Sequence, residues 1–500
     1  MAPRPNILWL LSDQHRADVM GAAGHPVVST PHLDALAGEG TLFGGAYCQG
    51  PLCMPSRASL LTGRHVRDHG VLNNKTAIAD GLPTVVQAMR DAGYHTATIG
   101  KMHLYPHRAG AAAGLDIMRG YGFDEITEIG GKLASGRVRS DYTDHLVALG
   151  LYTTYRQFVR QRTPGLAART GQIPGHQPIW NVDPSPLPAA AHIDAWVGDQ
   201  AASWIDSVDD QRPWFCWVGF PGPHNPWDAP AEFVERYRDA DVALDTTRRP
   251  DVPEAGPFRT FLDAFLDYSC SATLTDERIV EVRRHYFANI TLIDAAIGRI
   301  VDALRRRGLD DNTWIVYSTD HGEMLGTHGL LNKMVFYEPS VRVPLIIRPP
   351  GGGPSRRFGG LIEHVDLTAT LVEAACGKPI PDSPGRSLLN LIAGRPVVHP
   401  GDPADPDQPA GPDQPAQRPD HRTASSAGRE VVVSENFGFG MWRTGRYKLV
   451  VHEPERVPVQ LFDLADDPGE DHNLVLDPVR QAVVADLMDA YVRPFLAAKP

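Results

Sequence analysis

No stretch of the chain approaches the ~20 consecutive apolar residues of a membrane-spanning helix, so no membrane partner is expected. Cysteine is scarce: Cys48, Cys53, Cys216, Cys270 and Cys376 are an odd number and widely scattered, which excludes a disulfide framework. Positive charge is in deficit, with 48 Lys and Arg against 60 Asp and Glu. The formal net charge of -12 argues against a nucleic-acid partner, although a local basic pocket for a small anion can sit inside an acidic shell. The apolar run Ile7 to Leu11 is too short for a signal-peptide core, and no small-residue cleavage site follows it, which predicts a cytoplasmic protein. At 42% hydrophobic and 22% charged residues, the composition is that of a globular chain. Its 500 residues exceed what one ordinary core holds, so a large domain and a smaller one are expected.

What is present is an alternation of strand-like and helix-like segments, which predicts an α/β fold with a large, mostly parallel sheet flanked by helices. Asn6–Ser12 reads as a strand, and Thr30-Pro31 opens a short helix carrying Leu33, Leu36 and Ala37. Thr84 to Ala92 is helical by period, Gly93 stops it, and the strand His95–Ile99 follows with Lys101 just past its end. Ile193, Trp196, Val197, Ala201 and Trp204 recur at helical spacing ahead of a strand at Trp214–Val218. Thr275, with Asp276 and Glu277 in the first turn, opens a long amphipathic helix reaching Leu304. Thr313–Ser318 then runs straight into Asp320-His321-Gly322. Residues 1–394 are read as the catalytic domain. Residues 395–428 are read as a linker, because 399–420 repeat Asp-Pro-Asp-Gln-Pro-Ala as Gly-Pro-Asp-Gln-Pro-Ala with almost nothing apolar. Residues 429–500 are read as a small α+β domain, with strands at Val431–Ser434, Tyr447–Val451 and Val459–Asp463 and a helix from about Pro478.

Three features carry chemistry. The first is Pro51-Leu-Cys-Met-Pro-Ser-Arg-Ala-Ser-Leu-Leu-Thr-Gly63. Pro55 sits where a helix could begin, which would put Cys53 at a helix N-terminus, where backbone N–H groups and the dipole favour an anion. The second is Gly93 to His103, in which Lys101 and His103 follow a strand. The third is a pair of acidic strand ends far apart in the chain, Asp13-Gln14 and Asp320-His321. Strand carboxyl ends of an open parallel sheet converge on one face, where ligands bind. Two carboxylates, an amide oxygen and an imidazole there would suit a divalent metal. Singly, each feature has a bland alternative: a buried thiol near a turn, a charged loop after an edge strand.

Together and in this order, the motifs resemble the sulfatase family. Cys53, Pro55 and Arg57 match its Cys-x-Pro-x-Arg core and Leu60 to Gly63 match its continuation, while Met54 is larger than the residue usual there. Gly93 to His103 matches the second family signature. His224 in Pro221-Gly-Pro-His-Asn-Pro-Trp227 and Lys333 in His328-Gly-Leu-Leu-Asn-Lys333 match a leaving-group histidine and a second substrate-binding lysine. The Gln14/His321 pattern resembles the choline-sulfatase and phosphonate-monoester-hydrolase branch, which places an active-site asparagine where Asn74 lies; a plain turn residue is the competing reading. Gly445 to Leu449 and Leu461 to Glu470 resemble the family's C-terminal domain.

The resemblance implies an alkaline-phosphatase-like fold and a formylglycine made from Cys53 by a formylglycine-generating enzyme. It implies one divalent metal on Asp13, Gln14, Asp320, His321 and the modified Cys53. Oxygen-rich ligation favours Ca²⁺, and the imidazole leaves Mn²⁺ as the alternative. Asn74, Lys101, His224 and Lys333 would bind a small-molecule sulfate ester; Cys53, Arg57, Lys101, His103, His224 and Lys333 would carry the reaction. One hydroxyl of the hydrated formylglycine would attack sulfur while His224 assists the departing alcohol or phenol, and the second hydroxyl, losing its proton to His103, would expel sulfate. The alternative is phosphonate monoester or phosphodiester hydrolysis on the same scaffold. That branch typically has tyrosine and threonine at the positions of Lys101 and His103, so Lys-Met-His favours sulfate. Residues 104–210 and 225–275 contain no motif that names the alcohol, and a homo-oligomer is compatible with the sequence.

Overall fold

Asn6–Asp13 (β1) is buried along its entire length, and its neighbours explain why. Alternate side chains of a strand point to opposite faces: Ile7, Trp9 and Leu11 enter one apolar cluster, Leu8 and Leu10 another. Both faces are therefore covered, and the strand reads as an unbroken apolar run. The computed structural model describes residues 4–106, 111–162, 178–209, 211–244, 249–269, 271–376, 378–395 and 428–498. Around β1 stand Thr41–Tyr47 (β2), His95–Gly100 (β3), Glu125–Glu128 (β4), Trp214–Pro223 (β5), Thr313–Thr319 (β6), Arg342–Arg348 (β7) and Arg356–Glu363 (β8), in the order β4-β3-β5-β1-β6-β7-β2-β8. All neighbouring pairs are parallel except those of β7, which runs antiparallel to both β6 and β2. Trp9 and Trp217 stack across the β1–β5 pair at 4.2 Å between ring centroids.

The helix Asp276–Arg306 begins where Thr275 predicted, with the threonine side chain accepting from Arg278 N–H. It packs against Ile193–Ser207 closely enough that a Cβ at Gly198 would stand 2.7 Å from Ala296 Cβ. Val85–Asp91 opens on a capping box of Thr84 and Gln87. Thr30 does not cap the helix Pro31–Gly38; its hydroxyl instead accepts from Gly21 N–H and donates to Asp34. No helix among the described residues is long and apolar enough to cross a membrane.

Val431–Asn436 (β9), Phe439–Thr444 (β10), Tyr447–His452 (β11) and Val457–Asp463 (β12) form a second, antiparallel sheet followed by helical turns to Ala497. Strand β10 was not expected. It is joined to β9 by Phe437-Gly438, both at positive φ (50° and 77°), a tight hairpin without the Asn-Gly or Asp-Gly pair that usually announces one. Val432, Met441 and Val450 join the same apolar cluster as Trp9 and Phe215, so the second sheet is packed onto the first. The repeat-bearing tract 399–420 lies outside the described residues.

Strand β3 meets β5 at two glycines. A Cβ at Gly219 would lie 2.1 Å from the Lys101 carbonyl oxygen, and one at Gly100, whose φ is 98°, would lie 2.1 Å from the Gly219 carbonyl oxygen. Backbone stands on both sides, so neither clash can be relieved by a rotamer change. Gly219→Ala should therefore lower stability by about 1–3 kcal/mol, the usual cost of overpacking, read as a fall in the urea midpoint; an unchanged midpoint would show that the strands separate freely there.

Candidate active site

Ser12 is registered opposite Thr319 in the parallel β1–β6 pair, so the next residues, Asp13 and Asp320, emerge side by side at the carboxyl ends of the two strands. Both are fully buried. Arg57 is inserted between them, with Nε 2.8 Å from Asp320 Oδ2 and Nη2 3.3 Å from Asp13 Oδ2. Its Nη1 donates to the carbonyls of Lys101 (2.7 Å) and Met102 (3.0 Å). Burial alone would push the Asp13 carboxyl up, but Lys101, His224 and Arg57 outweigh it and hold the group well below the usual range. Burial likewise disfavours charge on Arg57, and the two aspartates reverse that, so its pKa is raised.

Arg57 comes from the helix Cys53–Thr62, one turn beyond Cys53, which is the first helical residue as the position of Pro55 implied. Asn74 Oδ1 accepts from Met54 N–H at 3.0 Å, serving one of the donors a helix start leaves open. Its side chain is thus engaged as a remote cap. Cys53 Sγ lies 3.2 Å from His321 Nε2 and 4.0 Å from Asp13 Oδ1. Burial first, then the Asp13 carboxylate, push the Cys53 thiol up to about 11. The other nitrogen of His321, Nδ1, is 3.0 Å from the Gly322 carbonyl, which fixes the tautomer and turns the Nε2 lone pair toward the cysteine. Burial lowers the His321 pKa, which favours the uncharged ring.

One ligating atom from each of Asp13, Cys53, Asp320 and His321 lies within 4.8 Å of the others. Two carboxylates and a neutral imidazole converging on one buried point fit a divalent cation. Gln14 follows Asp13 at φ 74°, its N–H donating to Asp320 Oδ1 at 3.0 Å. Its side-chain oxygen accepts from Lys333 Nζ, and its amide nitrogen donates to Glu323.

The remaining positive charge stands around this point. Lys101 Nζ pairs with Asp13 Oδ2. Burial opposes charge on Lys333, but Cys53, Asp13 and Asp320 raise its pKa. His224 follows Pro223, which is registered opposite Asp13 in the β1–β5 pair. Burial, then Lys333, hold its imidazole well below the usual range. His103 stands two residues past Lys101 at φ 51°, half-buried, its backbone N–H on the Glu128 carboxylate. Of the predicted site residues, Asp13, Gln14, Cys53, Arg57, Lys101, His224, Asp320, His321 and Lys333 converge; Asn74 backs the helix and His103 lies along the β3 exit.

Sequence reasoning missed two supports. Glu323, just beyond Asp320-His321-Gly322, accepts from Asn332 N–H (2.6 Å) and Leu325 N–H (3.0 Å) as well as from Gln14, and so ties the Lys333 loop to the end of β1. Lys132 is buried beneath the His224 loop. Only the adjacency of Glu323 to the Asp-His-Gly run could have pointed to the first; nothing in the sequence pointed to the second.

Removing the Arg57 charge takes from buried Asp320 its close cationic partner and leaves Asp13 with Lys101 alone, and breaking a buried ion pair in this way typically costs ~3–5 kcal/mol. Arg57→Met should show a loss of that order in chelator-treated protein and a smaller one with a divalent cation present, read by denaturant titration. Equal losses with and without the cation would show that no ion shares the carboxylates.

The sulfatase family model matches residues 5–378. The chain is 30% identical over 403 residues to an arylsulfatase of Clostridium perfringens, covering 78% of this chain and 79% of that protein. It is 28% identical over 492 residues to a choline-sulfatase of Rhizobium meliloti, covering 97% and 86%. The crystal structure of the phosphonate monoester hydrolase of Agrobacterium radiobacter superposes with a TM-score of 0.76 at 23% identity, covering 99% of this chain and 96% of that one, a likeness of fold. With strand ends, helix and cluster arranged as described and the family match spanning most of its length, the chain belongs to the sulfatase family and is a sulfuric ester hydrolase.

Proposed function

We propose that Cys53 is oxidised to formylglycine by a formylglycine-generating enzyme, and that the hydrated aldehyde is the nucleophile toward the sulfur of a small aryl or alkyl sulfate ester. The observation that carries this reading is a single soft sulfur set among hard donors, 3.2 Å from His321 Nε2 and beside Asp13 and Asp320. A thiol there suits neither an oxygen-preferring cation nor attack at sulfur; replacing it by oxygen makes the donor set uniform apart from one imidazole. We assign Ca²⁺, with Mn²⁺ as the alternative, to Asp13, Gln14, Asp320, His321 and the modified residue 53. Such a cation, when bound, would lower the pKa of the attacking hydroxyl and offset the charge of the sulfuryl group.

The hydrated aldehyde supplies two geminal hydroxyls, one to attack sulfur and one whose deprotonation releases sulfate. Arg57 holds both carboxylates in register for this. Lys101 and Lys333 draw in the sulfuryl oxygens, three cations with Arg57 against two carboxylates. His224 gives its proton to the departing alcohol oxygen, the bound anion raising an affinity for protons that burial and then Lys333 otherwise depress. His103 takes the proton of the second hydroxyl, and Asn74 sets the start of the Cys53 helix. The relatives named for aryl and choline sulfates support a small alcohol or phenol as leaving group. The division into 1–394, 395–428 and 429–500 and residence in the cytoplasm belong to the same reading.

Chelation should abolish turnover, and Ca²⁺ or Mn²⁺ should restore it; full activity in metal-stripped protein would remove the cation from the mechanism. Cys53→Ser should fold yet fail to turn over, because an ester on serine has no second hydroxyl to expel sulfate. A dead enzyme or a stoichiometric sulfated serine is expected by intact-peptide mass spectrometry, against an aldehyde at residue 53 in the parent. Steady turnover of Cys53→Ser near the parent rate would overturn the formylglycine reading.

A further inference from the structure

The segment that carries His224 is pinned on both sides of that residue. Gly222 N–H donates to Asp194 Oδ1 at 2.8 Å. The Pro226 carbonyl accepts from Lys132 Nζ at 3.2 Å, and Asp228 Oδ1 pairs with the same ammonium at 2.7 Å. The imidazole's own bond, Nδ1 to the Asn225 carbonyl at 2.6 Å, therefore depends on where the segment places Asn225.

Lys132 is 3% exposed. Its third close partner is Asn289 Oδ1 at 2.7 Å, and Asp194 Oδ2 is 3.8 Å away. His192 closes the group, 3.5 Å from Asp228 Oδ1 and 3.6 Å from Asp194 Oδ2. One ammonium thus governs both ends of the His224 segment, directly at Pro226 and Asp228 and through Asp194 at Gly222. The residue before it faces the other wall of the site: Gly131, at φ 78°, approaches Lys101 so closely that a Cβ would stand 3.0 Å from its Cδ. A buried ion group of this kind gains little over an apolar replacement in stability, and holding a geometry is its better-attested use.

We propose that Lys132 is a positioning residue for leaving-group protonation, acting through the 222–228 segment on His224. This rests on the reading of His224 as the acid. In that step the hydroxyl at residue 53, its own proton given up to solvent water, forms a new sulfur–oxygen bond while the bond from sulfur to the alcohol oxygen breaks. The electron pair stays on that oxygen, which takes the His224 proton. An alkoxide or plain phenolate needs that proton to leave; a nitrophenolate does not.

The test compares kcat/KM for phenyl sulfate and 4-nitrophenyl sulfate in the modified, metal-loaded enzyme and its His224→Ala, Lys132→Met and double variants. A displaced catalytic group costs up to about 10²-fold; Lys132→Met should lose on that order with phenyl sulfate and less than about 3-fold with 4-nitrophenyl sulfate. The double variant should be no worse than His224→Ala alone, since residues acting as one unit are not additive. Lys132→Met strips two buried carboxylates of their counter-charge, so Asp228→Asn, which keeps the shape and weakens one arm, is run beside it. The same selective loss, smaller, is expected. If His224→Ala loses equally on both substrates, the acid reading falls and the proposal with it. If His224→Ala discriminates but folded Asp228→Asn and Lys132→Met lose equally on both substrates or not at all, the positioning role alone is overturned.

Discussion

A guanidinium without access to water holds two carboxylates at the ends of adjacent strands, and every other part of the site is arranged around it. Parallel pairing of β1 with β6 forces Asp13 and Asp320 together whatever their charge. Arg57 answers with donors in one plane, two to the carboxylates and two to the carbonyls of Lys101 and Met102, just past the end of β3. A lysine ammonium at that position has no such fork. Because Arg57 is carried on the helix that Cys53 begins, the same contact that neutralises the strand ends also fixes how that helix start faces them.

Direction is specified as carefully as distance. An ammonium can only donate and a carboxylate can only accept, so the amide of Gln14, caught between Lys333 and Glu323, can stand only one way round. Its oxygen is thereby on the side of Lys333 and its nitrogen on that of Glu323. His321 is handled similarly, the Gly322 carbonyl taking one ring nitrogen and leaving the other for the cluster. Neither arrangement adds a charge; both remove an alternative.

Strands β1 and β6, which lead to Asp13 and Asp320, were legible because strands covered on both faces are largely apolar, and an acidic residue at the end of such a run stands out. The long helix was legible from its period and from Thr275. Strand β10 was not, since Phe437-Gly438 makes the turn without the usual residues and Phe439-Gly-Met-Trp has no clean alternation. Lys132 was hidden for another reason: its partners Asp194, Asp228 and Asn289 come from three segments, and no local pattern marks a lysine that meets them only after folding. Asn74 reads locally as a turn residue, and only the folded chain brings it to Met54.

The burial of Cys53 sets an order of events. At 2% exposure, beneath the ends of β1 and β6, its side chain is out of reach of any second protein once the sheet has closed. The proposed modifying enzyme, to reach Cys53, Pro55 and Arg57, which are all buried in the helix Cys53–Thr62, would have to act before that helix is packed in place. On the proposed oxidation of Cys53, maturation and folding would then compete in time: residues 53 to 57 lie early in the chain, well before the Asp320 that seals them in, and the interval between the two would be the window for modification.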